Sequence, residues 1–270
     1  MPRCTTAPYQ QHADAATPDY IAEPDWLVQQ QGGPNLRIID VRERTDYLAG
    51  HLPGALWLER NALSLTHSDH SVTLLPGALF GRLASRMGID ATMTVVVYDD
   101  VRGLHAARVV WALRRYGHQR ALVLNGGLER WRAAGYAVTT GVCLAYPRAF
   151  TSNPVQAHWA SLGWLYTRSS HRALLLLDVR TEHEYAEAHL PNARHWEWSN
   201  GASMGGWALR RPPGELRAEL LRQGITPDRR IVTYCSSGMR AAHTYLLLRS
   251  LGYPDVRVLD DAWRGCTLGS

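Results

Sequence analysis

The stretch IVTYCSSGMRAAHTYLLLRSLGY, residues 231–253, predicts a buried strand, a short loop and a helix in succession. Ile231 to Tyr234 is a short apolar run rich in β-branched residues, and a helical pattern begins near Ala241. Gly252 follows the last residue of that pattern, at a position where glycine commonly ends a helix. Between strand and helix, the chain places a cysteine, three small residues and an arginine.

The loop Cys235-Ser236-Ser237-Gly238-Met239-Arg240 has the composition of an anion-binding site. Ligands of open parallel sheets bind beyond the carboxyl ends of the strands. Small residues let the loop curl so that its N–H groups converge, and the positive end of the helix dipole points at the sulfur. We therefore predict that Cys235 acts as a catalytic thiolate, with Arg240 adding positive charge at the rim. The predicted substrate-binding residues are Ser236, Ser237, Gly238, Met239 and Arg240.

The same blocks of sequence occur twice in the chain and in the same order. IIDVRERTDYLAGHLPGA (38–55) matches LLDVRTEHEYAEAHLPNA (176–193), and VVVYDD (95–100) matches IVTYCS (231–236). A repeated unit of about 135 residues has the size of a domain rather than of a solenoid repeat. We predict an N-terminal domain over residues 20–140, a linker over 141–158 and a C-terminal domain over 159–270.

Each copy alternates short apolar runs with helical patterns. In the second copy, strands are predicted over 174–178, 231–234 and 256–259, and helices near 182–188, 213–223 and 241–251. Continuous apolar strands separated by helices favour a parallel sheet covered on both faces. The predicted fold class is α/β, with two tandem domains that each hold a mostly parallel sheet flanked by helices.

The duplication supplies a control for each candidate residue. Asp99 occupies the place of Cys235 in the first copy, and the loop after it lacks the small residues. The scaffold therefore tolerates loss of the thiol, which favours a catalytic role for Cys235 and predicts a silent first domain. Asp178 and Arg180, in contrast, recur in the silent copy, so we interpret them as a structural ion pair. The histidines of the two HLP turns are interpreted as structural for the same reason.

Composition excludes several classes of function. The net charge is +5, and all 29 basic residues are scattered arginines, so we predict no nucleic-acid partner. No apolar run approaches the ~20 residues that span a bilayer. The N-terminus lacks the apolar segment of a secretory signal, and a cytoplasmic location is expected. The four cysteines and twelve histidines form no metal-ligand pattern, so no metal is predicted.

Several of these motifs together resemble the tandem-domain rhodaneses, which are sulfurtransferases of the thiosulfate or 3-mercaptopyruvate type. The similarity runs from Tyr20 to Trp263 and includes both DVR–HLP blocks, HSVTLLPGALFGRLASRMGI (70–89), VVVYDD with VLNGG, and CSSGMR. The resemblance implies a five-stranded sheet in each domain, a catalytically silent first domain and a persulfide on Cys235. It also implies a small anionic sulfur donor, an acceptor that is cyanide, a small thiol or a protein thiol, and no cofactor.

The sequence of the loop does not decide which sulfur donor the chain uses. CSSGMR matches neither the CRKG-like loop of thiosulfate enzymes nor the CG(S/T)G loop of mercaptopyruvate enzymes. Glu184 stands where the family has a substrate-binding arginine, and its carboxylate would repel an anionic donor if it faced the pocket. We predict a thiosulfate sulfurtransferase. The alternatives are a 3-mercaptopyruvate sulfurtransferase and a rhodanese module that carries persulfide without turnover.

The length of the loop argues against a phosphatase. Cysteine-dependent phosphatases need five residues between cysteine and arginine, whereas four separate Cys235 from Arg240. The loop is thus one residue short for phosphate.

Among the other thiols, Cys266 could resolve a persulfide as a disulfide, while Cys4 and the linker residue Cys143 are predicted to be incidental.

Overall fold

The computed structural model describes residues 19–68, 70–168, 173–203 and 208–260. Within these residues the chain forms two compact units. Of the described residues, the first unit comprises those up to Leu63, Leu75–Pro154 and 208–209. The second comprises Ser64–Leu74, those from Val155 to Ser203, and those from Arg210 onward. The predicted domain bounds remain a prediction.

The described residues of the first half of the chain alternate strands with helices. Its elements are β1 (Ile21–Ala22), α1 (Pro24–Gln30), β2 (Leu36–Asp40), α2 (Arg44–Ala49), β3 (Leu56–Trp57), β4 (Ser64–Thr66), β5 (Val72–Leu74), α3 (Gly77–Arg86), β6 (Thr94–Tyr98), α4 (Leu104–Arg115), β7 (Ala121–Leu124) and α5 (Gly127–Ala133).

The second half repeats this alternation without a counterpart of the β4–β5 hairpin among its described residues. Its elements are β8 (Trp159–Ala160), α6 (Leu162–Tyr166), β9 (Leu174–Asp178), α7 (Glu182–Glu187), β10 (Arg194–His195), α8 (Pro213–Arg222), β11 (Arg230–Tyr234), α9 (Met239–Ser250) and β12 (Val256–Leu259), with short 3₁₀ helices at Gln156–His158 and Trp198–Gly201.

Two five-stranded sheets form the framework of the chain. Their strand orders are β1-β7-β6-β2-β3 and β8-β12-β11-β9-β10, so corresponding strands occupy corresponding places. Every strand pair within these two sheets is parallel. The predicted α/β class, with a parallel five-stranded sheet flanked by helices in each copy, is confirmed.

Burial explains why the central strands lack the alternation of an exposed sheet. In β11, Ile231 to Tyr234 are all buried, and the helix after it, α9, buries most of its residues. A strand covered on both faces needs apolar side chains on both. The central strand of the second sheet therefore leads from the core directly to Cys235.

The predicted element bounds differ from the structure at one important place. Helix α9 begins at Met239 rather than near Ala241, so Met239 and Arg240 belong to its first turn. Gly252 follows α9 with a positive φ angle of 88°, as predicted for a helix end, and Gly224 follows α8 in the same way with a φ angle of 64°. Among the described residues, no helix is both long and apolar enough to cross a membrane.

Candidate active site

Cys235 lies at the carboxyl end of β11, the central strand of the second sheet. Only 3% of its surface is exposed. Parallel strands place their carboxyl ends at one edge of the sheet, where ligands bind, and the central strand occupies the middle of that edge. The position of Cys235 fits the prediction that it is the reactive group.

Gly238 shapes the loop around the sulfur. Its φ angle of 79° lies in the left-handed region that favours glycine, and α9 begins at the next residue. Its backbone N–H donates a hydrogen bond to Cys235 Sγ over 3.1 Å. The first amides of α9 have no acceptor within the helix, so they are donors available to a second anionic atom. The loop therefore holds a sulfur atom with a donor already in place.

Arg240 does not project a bare positive charge from the rim, which corrects the sequence prediction. Its guanidinium forms a bidentate pair with the Glu184 carboxylate, over 2.6 and 2.9 Å, and also donates to Ser236 Oγ over 2.9 Å. Forked contacts of this kind are the stronger class of ion pair. The repulsion by Glu184 was conditional on its carboxylate facing the pocket alone, and the structure pairs that carboxylate with Arg240.

The ion pair fixes the charge states of both partners. Hydrogen bonding to Arg240 lowers the pKa of Glu184 to about 2. Hydrogen bonding to Glu184 raises the pKa of Arg240, and the neighbouring Cys235 sulfur raises it further. At neutral pH the rim therefore carries one positive and one negative charge in contact.

Helix α7 holds Glu184 in place through a capping box. Thr181 Oγ1 accepts the Glu184 N–H, and the Glu184 carboxylate accepts the Thr181 N–H over 3.0 Å. The Thr-x-x-Glu spacing of this motif is visible in the sequence. It would have located Glu184 in the first turn of a helix, although it does not reveal the partner across the site.

Of the other predicted substrate-binding residues, Ser236 is exposed and Ser237 and Met239 are half-buried. The structure thus gathers Cys235, Ser236, Gly238 and Arg240 around one loop, together with Glu184, which was not among the predicted binding residues. Their roles in binding remain predictions.

Asp178 and Arg180 form a buried ion pair of 2.6 Å, as the repeat predicts. The first copy holds the equivalent pair at the same distance. Tyr234 lies opposite Asp178 in the register of β9 and β11, and its hydroxyl accepts the Leu190 N–H over 3.1 Å. Burial raises the pKa of Tyr234, and Asp178 raises it further. This network joins the strand ends next to Cys235, which supports a structural role for the pair.

The loop of the first copy is filled by its own side chain. The Asp99 Oδ1 atom accepts the N–H groups of Val101 and Gly103, and Oδ2 accepts those of His105 and Ala106, all within 2.7–2.9 Å. Burial raises the pKa of this carboxyl, and its amide donors oppose that rise. Four converging amides make a nest that accommodates an anion of two atoms.

The amides that surround the Asp99 carboxylate have counterparts in the loop of the second copy. Gly103 has the same φ of 79° as Gly238 and donates to Oδ1, as Gly238 donates to Sγ. The amides that hold Oδ2 correspond to those of Arg240 and Ala241. The first loop is one residue longer, since four steps separate Asp99 from Gly103 and three separate Cys235 from Gly238.

Two tryptophans that follow the HLPNA turn, and a thiol of the linker, have different surroundings. Trp196 is buried, so it is a core residue, and Trp198 packs edge-to-face on His243 at 5.2 Å. Cys143, predicted to be incidental, has its Sγ 3.9 Å from His51 Nε2. Cys4 and Cys266 lie outside the described residues. In the part of the chain that the structure describes, no group of three or more His, Cys, Asp or Glu could hold a metal ion.

Comparison with known proteins places this architecture in a family. The model of the rhodanese-like domain matches the chain twice, over residues 23–134 and 161–267. The chain is 31% identical to the thiosulfate sulfurtransferase of Pseudomonas aeruginosa, over 90% of this chain and 92% of that protein. It is 28% identical to the sulfur carrier protein TtuD of Thermus thermophilus, over 92% and 93%.

A solved structure agrees with the sequence comparisons. SseA from Escherichia coli, described as a 3-mercaptopyruvate sulfotransferase of the rhodanese fold, superposes with a TM-score of 0.80 and 26% identity. The match covers 92% of this chain and all of that one. The two matched domains, the identity over nearly the whole chain and the shared architecture establish that the chain belongs to the rhodanese family, of which it carries two domains.

Proposed function

We propose that the chain is a sulfurtransferase that moves a sulfane sulfur from thiosulfate to a thiophilic acceptor through a Cys235 persulfide. The observation that carries this proposal is the Gly238 N–H bound to Cys235 Sγ, at the start of a helix whose first amides can hold a second atom. The thiosulfate sulfurtransferase of Pseudomonas aeruginosa, similar over most of both chains, supports the choice of donor.

The reaction requires two displacements. The Cys235 thiolate attacks the outer sulfur of thiosulfate, the S–S bond of the donor breaks, and sulfite leaves with the bonding electrons. The terminal sulfur of the resulting persulfide then carries the negative charge, which the amides of Arg240 and Ala241 stabilise. Cyanide or a thiol attacks that sulfur, and the Cys235 thiolate leaves. No electrons enter or depart, so neither metal nor organic cofactor is required.

Two alternatives have support of their own. Similarity to SseA favours 3-mercaptopyruvate as a donor, from which the same thiolate would take the thiol sulfur and release pyruvate. Similarity to the sulfur carrier protein TtuD favours a chain that holds the persulfide for a protein acceptor. All three functions use Cys235, so they differ in donor and acceptor rather than in the site. A cytoplasmic location remains part of this proposal.

The test is thiocyanate formation from cyanide, with thiosulfate and 3-mercaptopyruvate as parallel donors. We expect turnover with thiosulfate, its loss in Cys235→Ser, and its retention in Cys143→Ser, a matched thiol in the first unit. Faster turnover with 3-mercaptopyruvate would favour the first alternative. A chain that gains one sulfur by mass on Cys235 but releases no thiocyanate would be a carrier. If Cys235→Ser retains turnover, the proposal is wrong.

A further inference from the structure

A second thiol, Cys143, lies beside a histidine base in the first unit. Its Sγ is 3.9 Å from His51 Nε2, within the range of a sulfur hydrogen bond. The backbone N–H of Cys143 donates to the Tyr47 hydroxyl over 3.1 Å, so the segment after α5 is anchored at this residue. Cys143 is half-buried, which leaves part of it accessible to a reagent.

The hydrogen bonds of His51 determine which ring nitrogen faces the thiol. Its Nδ1 lies 2.7 Å from the Tyr47 carbonyl oxygen, which can only accept, so Nδ1 carries the proton in the neutral ring. Nε2 therefore presents a lone pair to Cys143. The ring is fully buried and stacks on Tyr47 with centroids 3.9 Å apart, which holds this orientation. A thiol with an oriented imidazole acceptor is the arrangement that activates a cysteine nucleophile.

The second copy shows that the turn does not need the thiol. His189 repeats the Nδ1 contact to the Tyr185 carbonyl, at 2.9 Å, and the 3.9 Å ring stack. Its hydrogen bonds in the described residues include no cysteine, and it is exposed. The histidine is therefore part of the framework in both copies, whereas the cysteine beside it is peculiar to the first.

Cys143 also lines a cavity of about 280 Å³. Arg44 and Arg86 are among the residues that line it, and no Asp or Glu is. The Arg44 guanidinium lies 5.5 Å from the centre of the Trp57 ring, another wall residue. Positive charge beside apolar side chains suits a small anion that carries an apolar body.

We propose that Cys143 is a modification site at which His51 activates the thiol for exchange with small anionic disulfides. His51 Nε2 accepts the thiol proton, and the Cys143 thiolate attacks one sulfur of the disulfide. The S–S bond of the reagent breaks as the mixed disulfide forms, and the departing thiolate takes the proton from the imidazolium. Cys143 is oxidised and the departing sulfur is reduced, so the step needs no other oxidant.

The experiment follows exchange in a full-length chain whose Cys4, Cys235 and Cys266 are changed to Ser. We expect the dianionic dithiobis(nitrobenzoate) to react with Cys143 at least about tenfold faster than with an unstructured peptide thiol. His51→Asn, which retains a donor to the Tyr47 carbonyl but lacks Nε2, should slow the reaction about tenfold. The matched variant His189→Asn should leave the rate unchanged.

The charge of the cavity is tested with a second reagent. Arg44→Gln combined with Arg86→Gln should slow the dianionic disulfide several-fold and leave neutral dithiodipyridine unaffected. This comparison remains informative if His51→Asn fails to fold. A Cys143 rate equal to that of the peptide thiol, or an equal fall with both reagents in the arginine variant, would overturn the proposal. Neither result depends on whether Cys235 transfers sulfur.

Discussion

The charge at the rim of the Cys235 loop depends on a single carboxylate. Glu184 pairs with Arg240 through two contacts, of 2.6 and 2.9 Å, and the pair is only partly exposed. An exposed ion pair contributes little to stability, but this one decides the net charge that an approaching donor meets. With the pair intact, the rim offers a dianion no net attraction.

Removal of the carboxylate charge should therefore favour the more highly charged donor. Glu184→Gln preserves the shape and one acceptor for Arg240, while the rim gains a net positive charge. We expect kcat/KM to rise roughly three- to tenfold for thiosulfate, a dianion, and less for 3-mercaptopyruvate, a monoanion. The measurement is the steady-state rate with each donor at low ionic strength.

Glu182→Gln is the matched control, because it removes a carboxylate from the exposed side of the same helix. It should leave the ratio of the two kcat/KM values unchanged. An unchanged or lower ratio in Glu184→Gln would mean that the pair positions Arg240 rather than sets the charge of the site.

At the scale of the element, the strand–loop–helix unit creates an anion nest in both copies. The first copy fills its nest with two oxygens of the Asp99 carboxylate, whereas the end of the strand in the second copy supplies a single atom, Cys235 Sγ. The two loops share the left-handed glycine at the start of the helix. The nest is therefore a property of the element, and the side chain at the end of the strand decides what occupies it.

Asp99→Asn should destabilise the first unit. Each oxygen of the carboxylate accepts two backbone N–H groups, and asparagine replaces one of these oxygens with an NH₂ group. Two buried N–H groups then face another donor and lose their acceptor. We expect the free energy of unfolding in urea to fall by about 1–3 kcal/mol. The neighbouring Asp100→Asn, at an exposed position, should change it by less than about 0.5 kcal/mol. Equal effects of the two substitutions would show that the nest does not depend on the carboxylate.

The sequence was a reliable guide to the strands and less so to the loop. Apolar runs located β9, β11 and β12 to within one residue, because strands buried on both faces leave a continuous pattern. The start of α9 was placed two residues late, since a left-handed glycine can begin a helix without a side-chain cap. The contact of Arg240 with Glu184 joins residues 56 apart, and no local pattern encodes it.

At the scale of the whole molecule, the two halves of the chain share one fold, and only the second half has a cysteine at the end of its central strand. Both sheets have the same strand order, and both contain the buried Asp–Arg pair at 2.6 Å. Repeated blocks made this duplication visible in the sequence. The grouping of Ser64–Leu74 with the second unit was not visible, because it depends on packing between residues far apart in the chain.

The duplication allows the requirements for catalysis to be separated from the scaffold. In a Cys235→Ser background, Asp99→Cys places a thiol at the end of the corresponding strand, β6. The loop after it is one residue longer and carries His105 where the second copy has Arg240. A displacement of about 1 Å in a reacting group can cost a hundredfold in rate. We therefore expect thiocyanate formation from thiosulfate at least about a hundredfold below that of the wild type.

The companion variant keeps Cys235→Ser and Asp99→Cys and adds two changes, deletion of Val101 and His105→Arg. With these changes the loop matches that of the second copy in length and charge. It should recover measurable turnover, and alkylation of the new thiol in both variants checks that it is accessible. If the longer loop is as active as the wild type, loop length does not select the chemistry, and the strand end alone is sufficient. If only the shortened loop with its arginine is active, the length and the charge of the loop together separate the active copy from the silent one.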